Sequence, residues 1–338
     1  MARPLRIEYP GAVYHVMARG NHQTAIFADD QDRRVWLETL EEACQKTGWR
    51  LHAYVLMGNH YHLLVETPEA NLSRGMKWLQ STYTSRYNRR HRLFGHLFQG
   101  RYKAVVVDGK QGQYFQVVST YIHLNPARSG LIAIGEEKLK RYRWSSYPWY
   151  LSRQAPAWLS RERVLASVGL SPGQGKGYEG YIEGRVLELA LKARRKELEG
   201  EWRRLRRGWY LGEKSFGEGL GELVGKALAG HRRGSHSGAA LRAHDEAAAE
   251  ALLGQGLGAL GLAESELAAM GKGAAEKAVL AWWLRQRTTV RLGWVAERLD
   301  MGHESRVSQA VWRLKHRPGR RLKQMQRMLE KRKREDGE

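Results

Sequence analysis

The stretch Met57-Gly58-Asn59-His60-Tyr61-His62-Leu63-Leu64-Val65-Glu66 constrains this chain more than any other. Two histidines one residue apart enter an apolar run that ends at a carboxylate, and Gly58-Asn59 separates this run from an earlier one, Arg50 to Met57. The pattern predicts two strands joined by a tight turn. Successive strand side chains point to opposite faces, so His60 and His62 share a face with their Cα atoms roughly 6.5–7 Å apart. Imidazoles so placed can converge on one metal ion; they can also sit on the wet face of a half-buried strand.

A second stretch, Ser119-Thr120-Tyr121-Ile122-His123-Leu124-Asn125-Pro126, closes a helical segment that starts at about Gln111. The residue before a proline is biased out of the α region, which predicts a helix end near Asn125. Tyr121 and Asn125 stand at i and i+4, on one helix face. A phenol beside an amide oxygen, facing a strand with two histidines, supplies the parts for cutting a phosphodiester. The phenolate attacks, and a divalent cation on His60, His62 and Asn125 polarises the phosphate. A phenol of pKa about 10 needs such help at neutral pH. A hydrolase that activates water would use the histidines and leave Tyr121 without a role. A non-catalytic DNA-binding protein on the same fold would be expected to have lost one of these four residues, and all four are present.

At these residues the chain resembles the single-tyrosine transposases of the His-hydrophobe-His type. His60-Tyr61-His62 is similar to their histidine signature, with an amphipathic tyrosine at the hydrophobic middle position. Tyr121 to Pro126 is similar to their tyrosine helix, and His96-Leu97-Phe98-Gln99-Gly100-Arg101-Tyr102-Lys103 to a further block. Within that family the likeness is to the REP-associated branch, and it covers about residues 1–150. The resemblance implies that Tyr121 becomes linked to a 5′ phosphate of single-stranded DNA and releases a 3′-hydroxyl. The phosphotyrosine keeps the bond energy, so a 3′-hydroxyl can reverse the step on another strand. The resemblance also implies Mg2+ or Mn2+ as the working ion; imidazoles are softer than magnesium prefers, and zinc or nickel would bind them in vitro.

Around these motifs the pattern predicts a strand over Gly11 to Arg19, a helix from Asp29 to Thr47 stopped by Gly48, and the histidine hairpin. A helix from Asn71, read as a cap, to about Arg92 follows, then a strand from Tyr102 to Asp108 and the tyrosine helix. The order β-α-β-β-α-β-α gives an α+β fold. It is a ferredoxin-like antiparallel sheet with helices on one face, followed by a mostly α-helical C-terminal extension. Arg141 to Tyr147 is expected to close this domain by packing Trp144. Expected boundaries are 1–150 for the nuclease domain, 151–253 for a helical extension and Gly/Ala-rich linker, and 254–338 for a DNA-binding region.

The formal net charge of +22 implies a polyanionic partner, most simply DNA, single-stranded or hairpin. Arg89, Arg90, Arg92, Arg101 and Lys103 are interleaved with Tyr87, Phe94, Phe98 and Tyr102, which suits phosphates and splayed bases. A solvated helix end beside core aromatics would show the same pattern. Tyr178 to Arg207 reads as one long charged helix whose Trp202, Arg203, Arg204, Arg206 and Arg207 could track phosphates or bridge domains. Ala274 to Gln286, Arg291 to Leu299 and Glu304 to Lys315, with a turn at Met301-Gly302-His303, predict a helix-turn-helix offering Arg306, Gln309 and Arg313 to a major groove. A plain packing unit fits that pattern too. Lys315 to Arg334 reads as a basic tail. The lone Cys44 excludes an intrachain disulfide and a Cys-based zinc site. No apolar run suits a membrane span or a signal peptide, so a cytoplasmic, nucleoid-associated monomer or homodimer is expected.

Overall fold

The histidine hairpin forms as its pattern requires: β2 (Arg50–Leu56) and β3 (His60–Thr67) pair antiparallel through the turn at Gly58-Asn59. Strand β1 (Ala12–Arg19) pairs antiparallel with β3 on one side and with β4 (Lys103–Val107) on the other. This computed structural model describes residues 7–229 and 239–335 and divides into two units, Met1–Arg232 and Arg233–Glu338. The sheet of the first unit has the order β2-β3-β1-β4-β5, where β5 is Tyr210–Leu211. Its first four strands follow the ferredoxin-like order. The fifth runs parallel to β4, so the sheet is mixed rather than purely antiparallel.

Helices cover both faces of the sheet, where one was expected. Helices α1 (Asp30–Thr47) and α2 (Leu72–His91) take the Tyr61 face: the Tyr61 ring lies 4.7 Å from Trp36, and its hydroxyl accepts from Gln80 Nε2 at 3.2 Å. Helix α3 (Gly112–Arg128) takes the His62 face, with Tyr121 against His62 and Phe115 against His52. Coverage on both sides explains why all of β3 after His60 is buried. Helix α3 continues past Asn125 through Pro126 to Arg128. A proline in the last turn removes only one backbone bond, so the preference of the preceding residue is overridden. Asn71 caps nothing with its side chain: its amide accepts from Trp49 Nε1 at 2.7 Å and donates to Thr47 O at 2.9 Å, tying α1 to α2.

The core of this unit runs well beyond residue 150. Helices α4 (Tyr147–Leu151), α5 (Glu162–Ser167) and α6 (Gly175–Ala190) contribute Tyr147, Tyr150, Val164, Leu165, Tyr178 and Ile182 to it. Helix α7 (Lys192–Arg207) adds Leu198, Trp202 and Leu205, and α8 (Lys214–Ala229) adds Leu220. The single helix expected from Tyr178 to Arg207 is broken at Leu191, which is extended. Trp144 O accepts from Leu56 N, and Ser146 N donates to Tyr54 O, so the segment around Trp144 covers the open edge of β2.

The second unit contains α9 (Ala239–Leu260), α10 (Glu264–Ala269), α11 (Ala275–Arg287), α12 (Leu292–Arg298), α13 (Glu304–His316) and α14 (Arg320–Glu335). Its own core includes Leu253, Leu280, Trp283, Val307, Leu314 and Leu329, which places the start of this unit before the expected residue 254. The α12–α13 connection turns at Gly302, with φ of 83°, and His303 caps α13 by accepting from Ser305 N. Among the described residues no helix is long and apolar enough to cross a membrane.

Candidate active site

Register builds the site. On the α3 face of the sheet His60 stands opposite Arg19, His62 opposite Met17, and Met17 in turn opposite Lys103. His15, two residues earlier on β1, is diagonal to His62, a distance that an imidazole can span. Its Nε2 lies 2.9 Å from His62 Nδ1, the rings stacked with centroids 5.1 Å apart. His60 and His62 have ring centroids 5.2 Å apart. From α3, Tyr121 meets His62 edge-on at 5.4 Å and His15 at 5.6 Å. Its own ring is covered by Trp202 of α7 at 5.4 Å, which leaves Tyr121 only 1% exposed.

The imidazoles are in the neutral form that a metal requires. Burial pulls His60 down to about 4, helped by the cations Arg19 and Arg128, and pulls His62 well below its ordinary value, helped by His15. Asn59 Oδ1 sits 2.7 Å from His60 Nδ1 and Asn59 Nδ2 donates to Gln23 O, so that oxygen takes the Nδ1 proton and leaves Nε2 of His60 with a free lone pair. If His62 donates its Nδ1 proton to His15, its Nε2 is free in the same way. These two donors therefore fit a divalent cation. Asn125 is differently engaged: its Nδ2 donates to Tyr121 O at 3.0 Å and its Oδ1 accepts from Arg128 Nη2 at 2.9 Å. One lone pair of that oxygen remains, beside a guanidinium. Among the described residues no group of three or more His, Cys, Asp or Glu is arranged to hold a metal ion.

Residues 9–125 match the family model described as "Transposase IS200 like". Over these residues the chain is similar to the IS200-like transposases. A solved structure of a REP-associated tyrosine transposase bound to a REP hairpin aligns at 13% identity and TM-score 0.39, over 48% of this chain and 93% of that one. No curated protein matches the chain. The match to the transposase family spans both the histidine hairpin and the tyrosine helix up to Asn125.

Of the cations read from the sequence as DNA contacts, Arg89, Arg92 and Arg101 are exposed. Arg90 is not available: it is paired with Asp29 at 2.6 Å and Asp32 at 2.5 Å, as Arg86 is with Glu42, and both tie α2 to α1. Lys103 lies half-buried on the His62 face, its ammonium pushed down by burial. Arg306, Gln309 and Arg313 are exposed on α13. Arg203 is exposed, whereas the side chains of Arg204, Arg206 and Arg207, and those from residue 331 onward in the basic tail, lie outside the described residues. Sequence reading missed His15, Arg19 and Arg128, and it read Trp202 as a phosphate contact or domain bridge, whereas Trp202 is buried against Tyr121. Arg128 places its guanidinium 5.4 Å from the Tyr121 ring and pairs with Glu199 of α7 at 3.3 Å. Glu66, at the end of the histidine strand, is not part of this cluster. Its carboxyl is held down at about 2 by the His52 imidazole and by Arg163.

Proposed function

We propose that the first unit cleaves and rejoins single-stranded DNA through a covalent bond between Tyr121 and a 5′ phosphate, acting on an insertion-sequence or REP-type element in the cytoplasm. The observation that carries this reading is the placement of the Tyr121 ring 5.4 Å from His62, across from the strand that bears both histidines. Tyr121 Oη forms the new bond to phosphorus as the bond to the 3′ oxygen breaks, and the 3′-hydroxyl departs. Arg128, Arg19 and Lys103 surround the site with positive charge that favours a phosphodiester. His60 and His62, with the remaining lone pair of Asn125, would hold Mg2+ or Mn2+, which supplies polarisation of the phosphate. The phosphotyrosine conserves the bond energy, so the reverse reaction on a second 3′-hydroxyl joins strands without ATP.

The second unit is read as the duplex reader. Arg306, Gln309 and Arg313 project from α13, the later helix of a helix-turn-helix, as major-groove recognition requires.

The burial of Tyr121 under Trp202 favours a second reading, a DNA-binding protein that does not cut. One experiment separates the two: incubation with single-stranded DNA and Mn2+ followed by denaturing electrophoresis. A covalent adduct that Tyr121→Phe abolishes, with DNA affinity within a few fold of the original, is expected. Adduct persisting in that variant excludes Tyr121, and no adduct under any divalent ion leaves the binding reading.

A further inference from the structure

The interleaved cations and aromatics after α2 divide, in the folded chain, into two sets. Arg86, Arg90 and His91 face α1 and are consumed by Glu42, Asp29 and Asp32. Phe98 and Tyr102 are buried, Phe98 against Tyr61 and Tyr83. What remains on the outside is Phe94, 99% exposed, beside Leu93 at 50%, with Arg89, Arg92 and Arg101 also exposed and close to them in sequence. Among the described residues none of these three guanidiniums is paired with a carboxylate.

This tip is held, not loose. Arg92 ends α2 in the left-handed region, with φ of 55°, and its N–H and that of Leu93 both donate to Asn88 O. Asn88 Nδ2 then reaches across the turn to Gly95 O at 3.1 Å. Beyond the tip, Leu97 O accepts from Asn21 N, and Gln99 N donates to Arg19 O. Arg19 is the register partner of His60, and Gly20 N donates to Asn59 O. The tip is therefore anchored to the end of the sheet that carries His60.

A phenyl ring kept in water at the end of a fixed turn forgoes roughly 1.5–3 kcal/mol of burial. Single exposed apolar residues are common, but here the ring shares a short stretch of chain with three exposed arginines that, among the described residues, pair with no carboxylate, and it is fixed at the sheet end of the proposed DNA-processing site. Cations spaced around an exposed aromatic match a phosphodiester chain with an unstacked base. We propose that Phe94, backed by Leu93, is a stacking wedge for an unpaired base, and that Arg89, Arg92 and Arg101 hold the flanking phosphates. The proposal rests on the DNA-processing reading above and names the feature of the DNA that this end of the sheet recognises.

The test uses the full chain and a mixed-sequence single strand carrying 2-aminopurine, beside a blunt duplex, with binding followed by anisotropy and base fluorescence. Phe94→Ala is expected to weaken single-strand binding roughly 5- to 100-fold and to abolish the 2-aminopurine quench. Phe94→Tyr should restore both, Phe94→Leu neither, and duplex binding should not change. The salt slope of Phe94→Ala should equal that of the original chain, whereas Arg89→Ala with Arg92→Ala should lower it by about 0.7 per lost phosphate contact. Equal single-strand affinity for Phe94→Ala, or full activity of Phe94→Leu, overturns the wedge while leaving DNA processing intact. So does a loss of self-association in Phe94→Ala with unaltered DNA binding, since the tip would then be a contact between copies. An original chain that binds no single strand overturns both readings.

Discussion

Replacing His15 by leucine should separate binding at the proposed metal site from folding. Nδ1 of His15 is buried with no hydrogen-bond partner, and an orphan of that kind costs about 1–3 kcal/mol, which leucine removes. The same substitution strips His62 Nδ1 of the partner it has at 2.9 Å, creating a new orphan of similar cost. The two effects nearly cancel. In a unit of this size 1 kcal/mol moves Tm by about 2–4 °C, so a shift of only a few degrees is expected. Metal affinity has no such offset. A ligating imidazole whose other nitrogen loses its partner loses the tautomer that frees its lone pair, and changes of this type cost about 10- to 100-fold. Calorimetric titration of the full chain with Mn2+ reads this directly, beside a thermal melt. His15→Gln, whose amide oxygen can accept from His62, should recover most of the affinity. Mn2+ affinity within twofold of the original in a folded His15→Leu chain refutes the reasoning. A loss that appears only together with a large fall in Tm makes His15 a packing residue.

Three further outcomes are expected. Trp202→Ala should lower thermal stability, by the roughly 3–5 kcal/mol typical of a buried tryptophan, yet raise the rate of covalent adduct formation several-fold because Tyr121 loses its cover; an adduct rate that falls in step with the melt would show that Trp202 only holds the fold. Burial holds His123 at about 3, so below its ordinary 6.5 the unfolded chain takes up a proton that the folded chain refuses. Stability should therefore fall with acidification between these values by about 1.4 kcal/mol per pH unit from this residue, and His123→Gln should flatten the pH dependence of the urea midpoint by that amount. Ending the chain after Arg232 should preserve adduct formation, while Arg306→Ala in the full chain should reduce discrimination between specific and scrambled duplex by about 1–3 kcal/mol, measured by competition binding.

The parts of the fold that were legible are those set by rules acting within one element. The Gly58-Asn59 turn, the Asp29 start and Gly48 stop of α1, and the shared face of His60 and His62 all follow from local spacing. The second helical layer was legible in principle as well. Val13, Tyr14 and Val16, and then Leu63, Leu64 and Val65, are apolar without alternation, the mark of strands covered on both sides. The boundary at residue 150 failed for a different reason. Tyr178, Ile182 and Leu189, then Leu198, Trp202 and Leu205, form apolar stripes at helical spacing, and such a stripe announces that a helix is buried without saying against what. Strand β5 is two residues long and carries no signal of its own. Arg89 and Arg90 are adjacent in sequence and about a hundred degrees apart on the helix, so only the position of α1 decides which one is free.

The same division governs the site. Tyr121 and the histidines could be read from spacing, but His15 joins them through cross-strand register, and Arg128 and Trp202 through the packing of α3 against α7. Those last contacts converge. Trp202 covers the Tyr121 ring, and Glu199, one turn earlier on α7, holds Arg128, which in turn occupies the amide oxygen of Asn125. One helix thus masks the proposed nucleophile, a candidate ligand oxygen and a cation proposed to meet the phosphate together. With Trp202 against its ring Tyr121 is 1% exposed, so the proposed chemistry would call for withdrawal of α7 at the extended Leu191 junction, which would uncover all three groups in one motion. Substrate binding and assembly of the site would then be a single event, with the negative charge of the entering phosphate replacing that of Glu199 beside Arg128.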